Sequence, residues 1–212
     1  MFNALTFDKN IVKRAGVKCS RFYYAGKEKP DNDNVEFFYF VDENTNSIDG
    51  DNVYLSSLFL SDDIIDKVID HVFTKRSKII ISACNTLDEV GTCDKLHGTS
   101  PIGLAHSYGL LENAYVSGAV YLDKDDVDLI IQSNAKIILT PSTSLGSGHG
   151  IPPLRMMLTL GADVSLGTGL SKYNSSGDIE FEKRLISLAL SGALCTREAI
   201  SERDLQKMLK YS

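Results

Sequence analysis

The residues that could do chemistry in this chain lie at the ends of short, β-branched runs. Four of these ends are the segments 82–85, 117–119, 140–144 and 167–170, which carry mainly serine, threonine, asparagine and glycine, with Cys84 among them. In parallel β/α architectures the carboxyl ends of the strands form the face where active sites lie. We therefore expect any functional site to be built from these four segments.

Cys84 is a candidate nucleophile because it closes one of the runs. A reactive thiol needs a neighbouring cation or histidine to lower its pKa, and no His or Lys stands beside Cys84 in the sequence. The pattern therefore favours a small buried thiol that serves packing.

The histidines do not form a pattern that would bind a metal. His149 lies in a Ser/Gly-rich loop, where it could contact a ligand, although a solvated loop histidine is the favoured interpretation. His71 lies near a predicted helix end, and His97 and His106 precede a strand, so we interpret them as surface or capping residues. Asp178 falls at a helix N-terminus, where an acid is expected on structural grounds.

The Ser/Gly-rich loop 142–150 leads into a predicted helix. Backbone N–H groups in such a loop could bind an anion. The loop lacks the lysine of a phosphate-binding P-loop, so a nucleotide site is only a minor alternative.

The elements that must position these residues follow a regular alternation from about residue 50 onward. Short β-branched runs alternate with amphipathic stretches, which is typical of βαβ units around a parallel sheet. The predicted strands are 52–56, 78–82, 114–120, 136–140 and 163–167, and the predicted helices begin near 61–63 and cover 87–96, 123–132, 153–160, 179–190 and part of 196–209.

The first fifty residues are less regular. They predict a helix end at 11–15, a strand at 17–24 and an aromatic strand at 35–41. We interpret the stretch from about 25 to 50 as an irregular strand-loop-strand insertion.

Composition limits the classes of function. A net charge of −6 without a basic cluster argues against nucleic acid or an anionic membrane as partner. The longest apolar runs have only strand length, and the N-terminus lacks the pattern of a signal peptide, so we expect a cytoplasmic protein. Cys19, Cys84, Cys93 and Cys195 form no CxxC pair, and we expect reduced thiols.

A longer pattern gives the sequence a resemblance to a known family. The sequence is PSTSL at 141–145, GIPPL at 150–154, LGADV at 160–164 and LGT at 166–168. The order and spacing of these segments resemble the metal-dependent amidohydrolase superfamily, in the branch with triazine hydrolases and guanine and adenosylhomocysteine deaminases. The resemblance runs from Ile81 to about Leu190 and needs no gap between Val116 and Leu170.

The resemblance implies a divalent metal such as zinc or iron, which ionises a water molecule from a set of His and Asp ligands. Ser82 stands where the family has a His, and Asn85 stands where it has a proton-shuttling Glu. Gly118 and Gly169 take the places of another His and of an Asp. Glycine has no ligand side chain, serine is a poor neutral ligand and asparagine does not exchange a proton at physiological pH.

The sequence therefore predicts no catalytic residue, no metal ligand and no cofactor. The family's opening His-x-His pair has no counterpart either. We predict instead the remnants of a substrate pocket, formed by Ser82, Asn85, Gly118, Ser144, His149 and Gly169.

The predicted fold is α/β, a partial TIM-type barrel of about six parallel strands in one domain covering 1–212, without the first two βα units and the family's small β-domain. An open parallel sheet exposes unpaired edges. We therefore expect self-association or a separately encoded N-terminal half, unless the strand at 35–41 caps an edge.

Two functional hypotheses follow from the resemblance. The first is a degenerate, non-catalytic member, or pseudoenzyme, that acts as a scaffold, a subunit or a small-molecule binder. The second is a hydrolase or deaminase that acts on a C–N bond of a cyclic amidine or purine-like substrate and is completed by a partner chain. A decaying gene product without a selected role is a third alternative.

Overall fold

The computed structural model describes residues 3–15, 21–31 and 35–209, and these residues contain a sheet of eight parallel strands whose spatial order equals their chain order. The strands are β1 (Asn3–Thr6), β2 (Arg21–Gly26), β3 (Val35–Val41), β4 (Asn52–Leu55), β5 (Ile79–Ala83), β6 (Tyr115–Gly118), β7 (Lys136–Leu139) and β8 (Val164–Leu166).

The helices follow most of the strands and pack outside the sheet. They are α1 (Lys9–Ala15), α2 (Asp62–Lys75), α3 (Leu87–His97), α4 (Pro101–Ser107), α5 (Lys124–Gln132), α6 (Pro141–Gly146), α7 (Leu154–Leu160), α8 (Ile179–Ala193) and α9 (Glu202–Met208). The predicted α/β barrel class is confirmed. The short helices α4 and α6 were not predicted, and the segment 142–150, interpreted as a loop, begins inside α6.

The sheet closes on itself through β1 and β8. The carbonyl oxygen of Leu5 accepts the backbone N–H groups of Thr168 and Gly169, both at 3.0 Å, and Thr6 forms a parallel bridge with Gly169. A Cβ on Gly167 would lie 3.0 Å from Cβ of Leu5, so a glycine allows the two strands this approach. The predicted partial TIM-type barrel is thus confirmed, and it has eight parallel strands where about six were predicted.

The segment from about 25 to 50 is part of the barrel and not an insertion. Strand β3 pairs with β2 on one side and with β4 on the other, from Phe22↔Val35 to Val41↔Leu55. The described residues between β2 and β4 contain no helix, unlike the usual βαβ crossover. The interpretation of 35–41 as an edge cap was also wrong, because β3 has no free edge.

Two layers of apolar side chains hold the barrel together. The larger layer lies between the strands and the helices and contains residues such as Val68, Ile81, Val127 and Ile137. The smaller layer is made by strand residues whose side chains form a separate cluster: Leu5, Tyr23, Ala25, Phe38, Tyr54, Ile80 and Ile138, with Phe7, Phe40 and Tyr115 packed against them. The members of this second cluster fill the barrel interior with aromatic rings.

Candidate functional site

A cavity of about 510 Å³ lies at the carboxyl ends of the strands. Its lining comes from the eight strand ends and the segments that follow them: Leu5, Phe7, Ala25, Gly26, Lys27, Phe40, Asp42, Tyr54, Ser56, Ser82, Asn85, Ser117, Gly118, Thr140, Thr143, Ser144, His149 and Leu170. The structure thus brings five of the six predicted pocket residues to one cavity. The sixth, Gly169, does not line the cavity itself, but the next residue, Leu170, does.

One wall of the cavity is aromatic. The rings of Phe40 and Tyr54 stack with centroids 5.2 Å apart, and Phe7 meets Tyr54 edge-on at 5.1 Å. Sequence reasoning did not assign these three residues to the site, although the aromatic run at 35–41 was the available signal. Such rings bind flat apolar groups by stacking and by edge contacts.

A charged pair lies at the edge of this aromatic wall. The ammonium of Lys27 bonds Asp42 at 2.9 Å and Oγ1 of Thr45 at 2.9 Å, and it lies 6.0 Å from the centroid of Phe40. The bond from Lys27 holds the pKa of the Asp42 carboxyl below its usual value. The two charges therefore neutralise each other at the entrance.

The floor of the cavity is polar and uncharged. The hydroxyl of Tyr54 lies 3.1 Å from Oγ of Ser117, with both residues buried. Burial raises the pKa of Tyr54, and this effect exceeds the opposing hydrogen bonds from Ser117 and Ser82. Tyr54 is therefore a neutral hydroxyl at physiological pH.

Asn85 lies beside this floor in a fixed hydrogen-bonded position. Its Nδ2 donates to Oγ of Ser82 at 3.1 Å and to Oε2 of Glu89 at 3.3 Å. Glu89 also accepts the backbone N–H groups of Cys84 and Asn85, at 3.1 and 2.6 Å. Glu89 thus secures the turn that follows β5, at the start of α3, where the hydroxyl of Thr86 accepts the N–H of Glu89.

The two glycines at predicted ligand positions have no room for a side chain. Gly118 has a φ of 88°, and a Cβ there would overlap Oδ1 of Asn85. Gly169 has a φ of 58°, and a Cβ there would overlap Oγ1 of Thr143. That same Thr143 oxygen accepts the backbone N–H of Leu170 at 2.9 Å. Neutral side chains therefore fill the space that the two missing ligands would use.

These residues do not fit a divalent metal. Among the described residues, no three His, Cys, Asp or Glu side chains converge on one point. The ionisable side chains that line the cavity are Lys27, Asp42, His149 and the neutral Tyr54, and the first two already pair with each other. Hydroxyl and amide groups are weak ligands for zinc or iron compared with imidazole and carboxylate.

Ser144 and His149 are placed by α6 and the turn after it. The backbone N–H of His149 donates to the carbonyl oxygen of Ser144 at 2.9 Å, and the hydroxyl of Tyr121 donates to the carbonyl oxygen of His149 at 2.6 Å. Behind them, the fully buried Glu182 accepts Oγ–H and N–H of Ser142 at 2.6 and 2.8 Å. These bonds tie α6, and with it the cavity rim, to α8.

The remaining candidates have structural positions. Cys84 is fully buried, and burial raises the pKa of its thiol, so the thiolate needed for nucleophilic attack is disfavoured. His97 and His106 are exposed, as predicted, and Asp178 is the N-cap of α8. His71 is buried within α2 and does not lie at the surface, because it faces the segment 46–48. Cys19 lies outside the described residues, while Cys93 is buried and Cys195 is exposed.

No protein-family model matches the chain. It is 29% identical over 131 residues to the 5-methylthioadenosine/S-adenosylhomocysteine deaminase of Pyrococcus furiosus, a match that covers 61% of this chain and 31% of that protein. The same deaminase from Pyrococcus horikoshii is 30% identical over 113 residues, covering 53% and 27%. The chain thus spans about a third or less of these relatives.

Solved structures share the barrel. An atrazine chlorohydrolase mutant from Arthrobacter aurescens TC1, complexed with zinc and atraton, superposes with a TM-score of 0.70 at 17% identity and covers 99% of this chain and 52% of that one. Guanine deaminase from C. acetobutylicum superposes with a TM-score of 0.63 at 16% identity, covering 100% and 54%. In sequence and in fold the chain is similar to members of the amidohydrolase superfamily. Its cavity lies at the carboxyl ends of the strands, where active sites of (β/α) barrels lie.

Proposed function

We propose that this amidohydrolase-like chain binds a small, uncharged aromatic molecule at the barrel mouth and does not carry out metal-dependent hydrolysis. One observation carries the proposal: the cavity has a stacked aromatic wall and a neutral polar floor, while Asn85 and Thr143 fill the space of two ligand positions. In this proposal the chain is a pseudoenzyme that acts in the cytoplasm. No helix of the described residues is long and apolar enough to cross a membrane.

The first experiment tests metal content. Protein purified without chelator is expected to contain no stoichiometric zinc, iron or manganese by elemental mass spectrometry. It is also expected to release no ammonia from 5-methylthioadenosine or guanine, with or without added zinc. A retained metal near one per chain would contradict the proposal.

The second experiment tests binding with a simple probe. Indole titrated into the protein and followed by ligand-observed NMR should bind with a millimolar or lower Kd. Phe7→Ala should weaken this binding by about five-fold, since edge-to-face aromatic contacts are worth roughly 0.5–1.5 kcal/mol. Phe181→Ala on the outer surface of α8 is the matched control and should leave the Kd unchanged.

The names of the relatives favour a second candidate. Proteins 24–30% identical to this chain are 5-methylthioadenosine/S-adenosylhomocysteine deaminases. The chain would then be part of a C–N hydrolase or deaminase for a purine-like substrate, with metal ligands donated by a partner chain. Metal retention and ammonia release that arise only when a partner is co-expressed would support this candidate over the first.

A further inference from the structure

The side-chain amide of Asn85 is held in one orientation by two acceptors. Its Nδ2 donates to Oγ of Ser82 and to Oε2 of Glu89. A carboxylate only accepts hydrogen bonds, so the amide edge that faces Glu89 must be the NH₂ edge. Reversing the amide would set Oδ1 against the Glu89 carboxylate. Glu89 therefore determines which way the amide faces.

The opposite edge of the amide faces Gly118 at the cavity lining. Its oxygen, Oδ1, lies against the α-carbon of Gly118, as the overlap with an added Cβ shows, and both residues line the cavity. Among the described residues, no donor bonds this oxygen. A second acceptor at the mouth, the Asp42 carboxylate, already accepts bonds from Lys27 and Thr45. The hydroxyls of the floor can donate or accept by rotation, whereas Oδ1 can only accept.

We propose that Asn85 determines ligand specificity by accepting an N–H or O–H from the ligand edge, and that Glu89 is the positioning residue for this contact. The inference rests on the proposed binding function and narrows its ligand class to uncharged aromatic molecules with a hydrogen-bond donor at one edge. A ligand with a methyl group in place of that donor displaces water from Oδ1 and leaves the oxygen without a partner, which weakens binding.

Matched probe pairs test the proposal on the full chain. Benzamide is compared with N,N-dimethylbenzamide, and indole with 1-methylindole, by ligand-observed NMR titration. In the wild-type protein the donor member of each pair should bind about three- to tenfold more tightly, which is the range of one neutral hydrogen bond. Asn85→Ala should bring this ratio close to one, because the acceptor is removed while the aromatic wall remains.

Glu89→Gln tests the positioning role. A glutamine has one carbonyl oxygen and can keep only one of the two backbone N–H bonds, and its own NH₂ allows the Asn85 amide to turn over, so the preference for the donor member should fall. Asp88→Asn, in the same first turn of α3 and exposed to solvent, is the matched control and should keep the wild-type ratio. A merely structural role of Glu89 would weaken both members of a pair equally.

The outcomes separate the inference from the function on which it rests. Equal binding of both members to the wild-type protein would overturn the inference and leave the binding function intact. An affinity ratio that persists in Asn85→Ala would overturn the inference too, because another acceptor would then bind the donor of the ligand. Failure of all four probes to bind would overturn the binding function and the inference together.

Discussion

At the scale of single residues, the barrel mouth has glycines at two positions where the resemblance implies metal ligands. Gly118 and Gly169 take left-handed backbone conformations that few side chains tolerate. The groups packed against them, Asn85 and Thr143, are neutral and already hydrogen-bonded. Restoring one ligand at such a glycine would therefore require a neighbour to move.

Substitution of Gly118 should show this coupling. Gly118→Ala is expected to destabilise the protein by roughly 2–4 kcal/mol, from backbone strain of about 1–2 kcal/mol together with overlap with Asn85. Gly161→Ala is the matched control, because Gly161 has a φ of 90° and nothing within 4 Å of an added Cβ. The loss in its free energy of unfolding, measured with urea, should equal the backbone strain alone.

The double variant isolates the overlap. In an Asn85→Ala background, Gly118→Ala should cost less than in the wild-type protein but more than Gly161→Ala does, because the Asn85 amide is absent while the carbonyl oxygen of Ala83 still lies 3.0 Å from the added Cβ. Equal costs of Gly118→Ala with and without Asn85 would show that the two positions are not coupled.

Glu182 should make stability depend on pH. Burial raises its pKa above the usual value of 4.5, so the folded state holds this proton more tightly than the unfolded state. The resulting stabilisation is complete below about pH 4.5 and is lost as the pH rises through the folded-state pKa. Glu182→Gln should be less stable by roughly 1–3 kcal/mol at pH 7, since one NH₂ would face a donor.

The sign of this pH dependence is measured by urea unfolding between pH 4.5 and 8. The stability gap between wild type and Glu182→Gln should widen as the pH falls, because only the wild type takes up the proton. Glu180→Gln, which removes an exposed acid of the same helix paired with Lys183, should stay within about 0.5 kcal/mol of wild type. A gap that stays constant across this pH range would contradict the assignment.

At the scale of elements, closure of the barrel depends on the contact between β1 and β8. Three backbone features make it: the Leu5 carbonyl with its two donors, the Thr6 bridge, and the close approach at Gly167. The first strand has only four residues, so few hydrogen bonds secure it.

Gly167→Val should weaken the contact between β1 and β8. The added side chain meets Cβ, N and O of Leu5 at 3.0–3.1 Å, and overpacking of this kind costs roughly 1–3 kcal/mol. In this variant, hydrogen exchange should be accelerated more at the β1 amides than at the β5 amides. Gly91→Ala is the control: it lies inside α3 with nothing within 4 Å and should stabilise the protein by about 0.5–1 kcal/mol.

At the scale of the whole molecule, the eight strands form a nearly closed barrel in which one bridge and two backbone hydrogen bonds join the β1 side to the segment after β8. This contact weakens the edge-based reason for expecting a partner. Self-association or binding of a separately encoded half stays a proposal, and it would use the outer helices. Large apolar side chains are exposed there, including Phe73, Leu96 and Leu188, at 59%, 67% and 72%.

Sedimentation analysis at micromolar concentration tests the association. The proposal expects a mass above the 23.3 kDa of one chain. A monomer that unfolds in one cooperative transition would contradict the need for a partner. It would also support the proposal that the chain is a single domain.

The sequence determined the elements from about residue 50 onward, because the periods of helix and strand are local properties of neighbouring residues. Strands β4 to β8 and helices α2, α3, α5, α7 and α8 lie where the pattern predicted them, within a few residues. The sequence also indicated which strand ends would meet, since parallel strands place their carboxyl ends on one face.

Only the tertiary structure decided how the barrel closes and what fills its mouth. The pairing of β1 with β8 joins Leu5 to Thr168, and the aromatic wall joins Phe7 to Tyr54. No local pattern encodes such contacts, because they depend on how distant segments pack. The same reason explains Asn85: the resemblance implied that it stands in the place of a glutamate, but its contact with Gly118 and its orientation by Glu89 exist only in the folded chain.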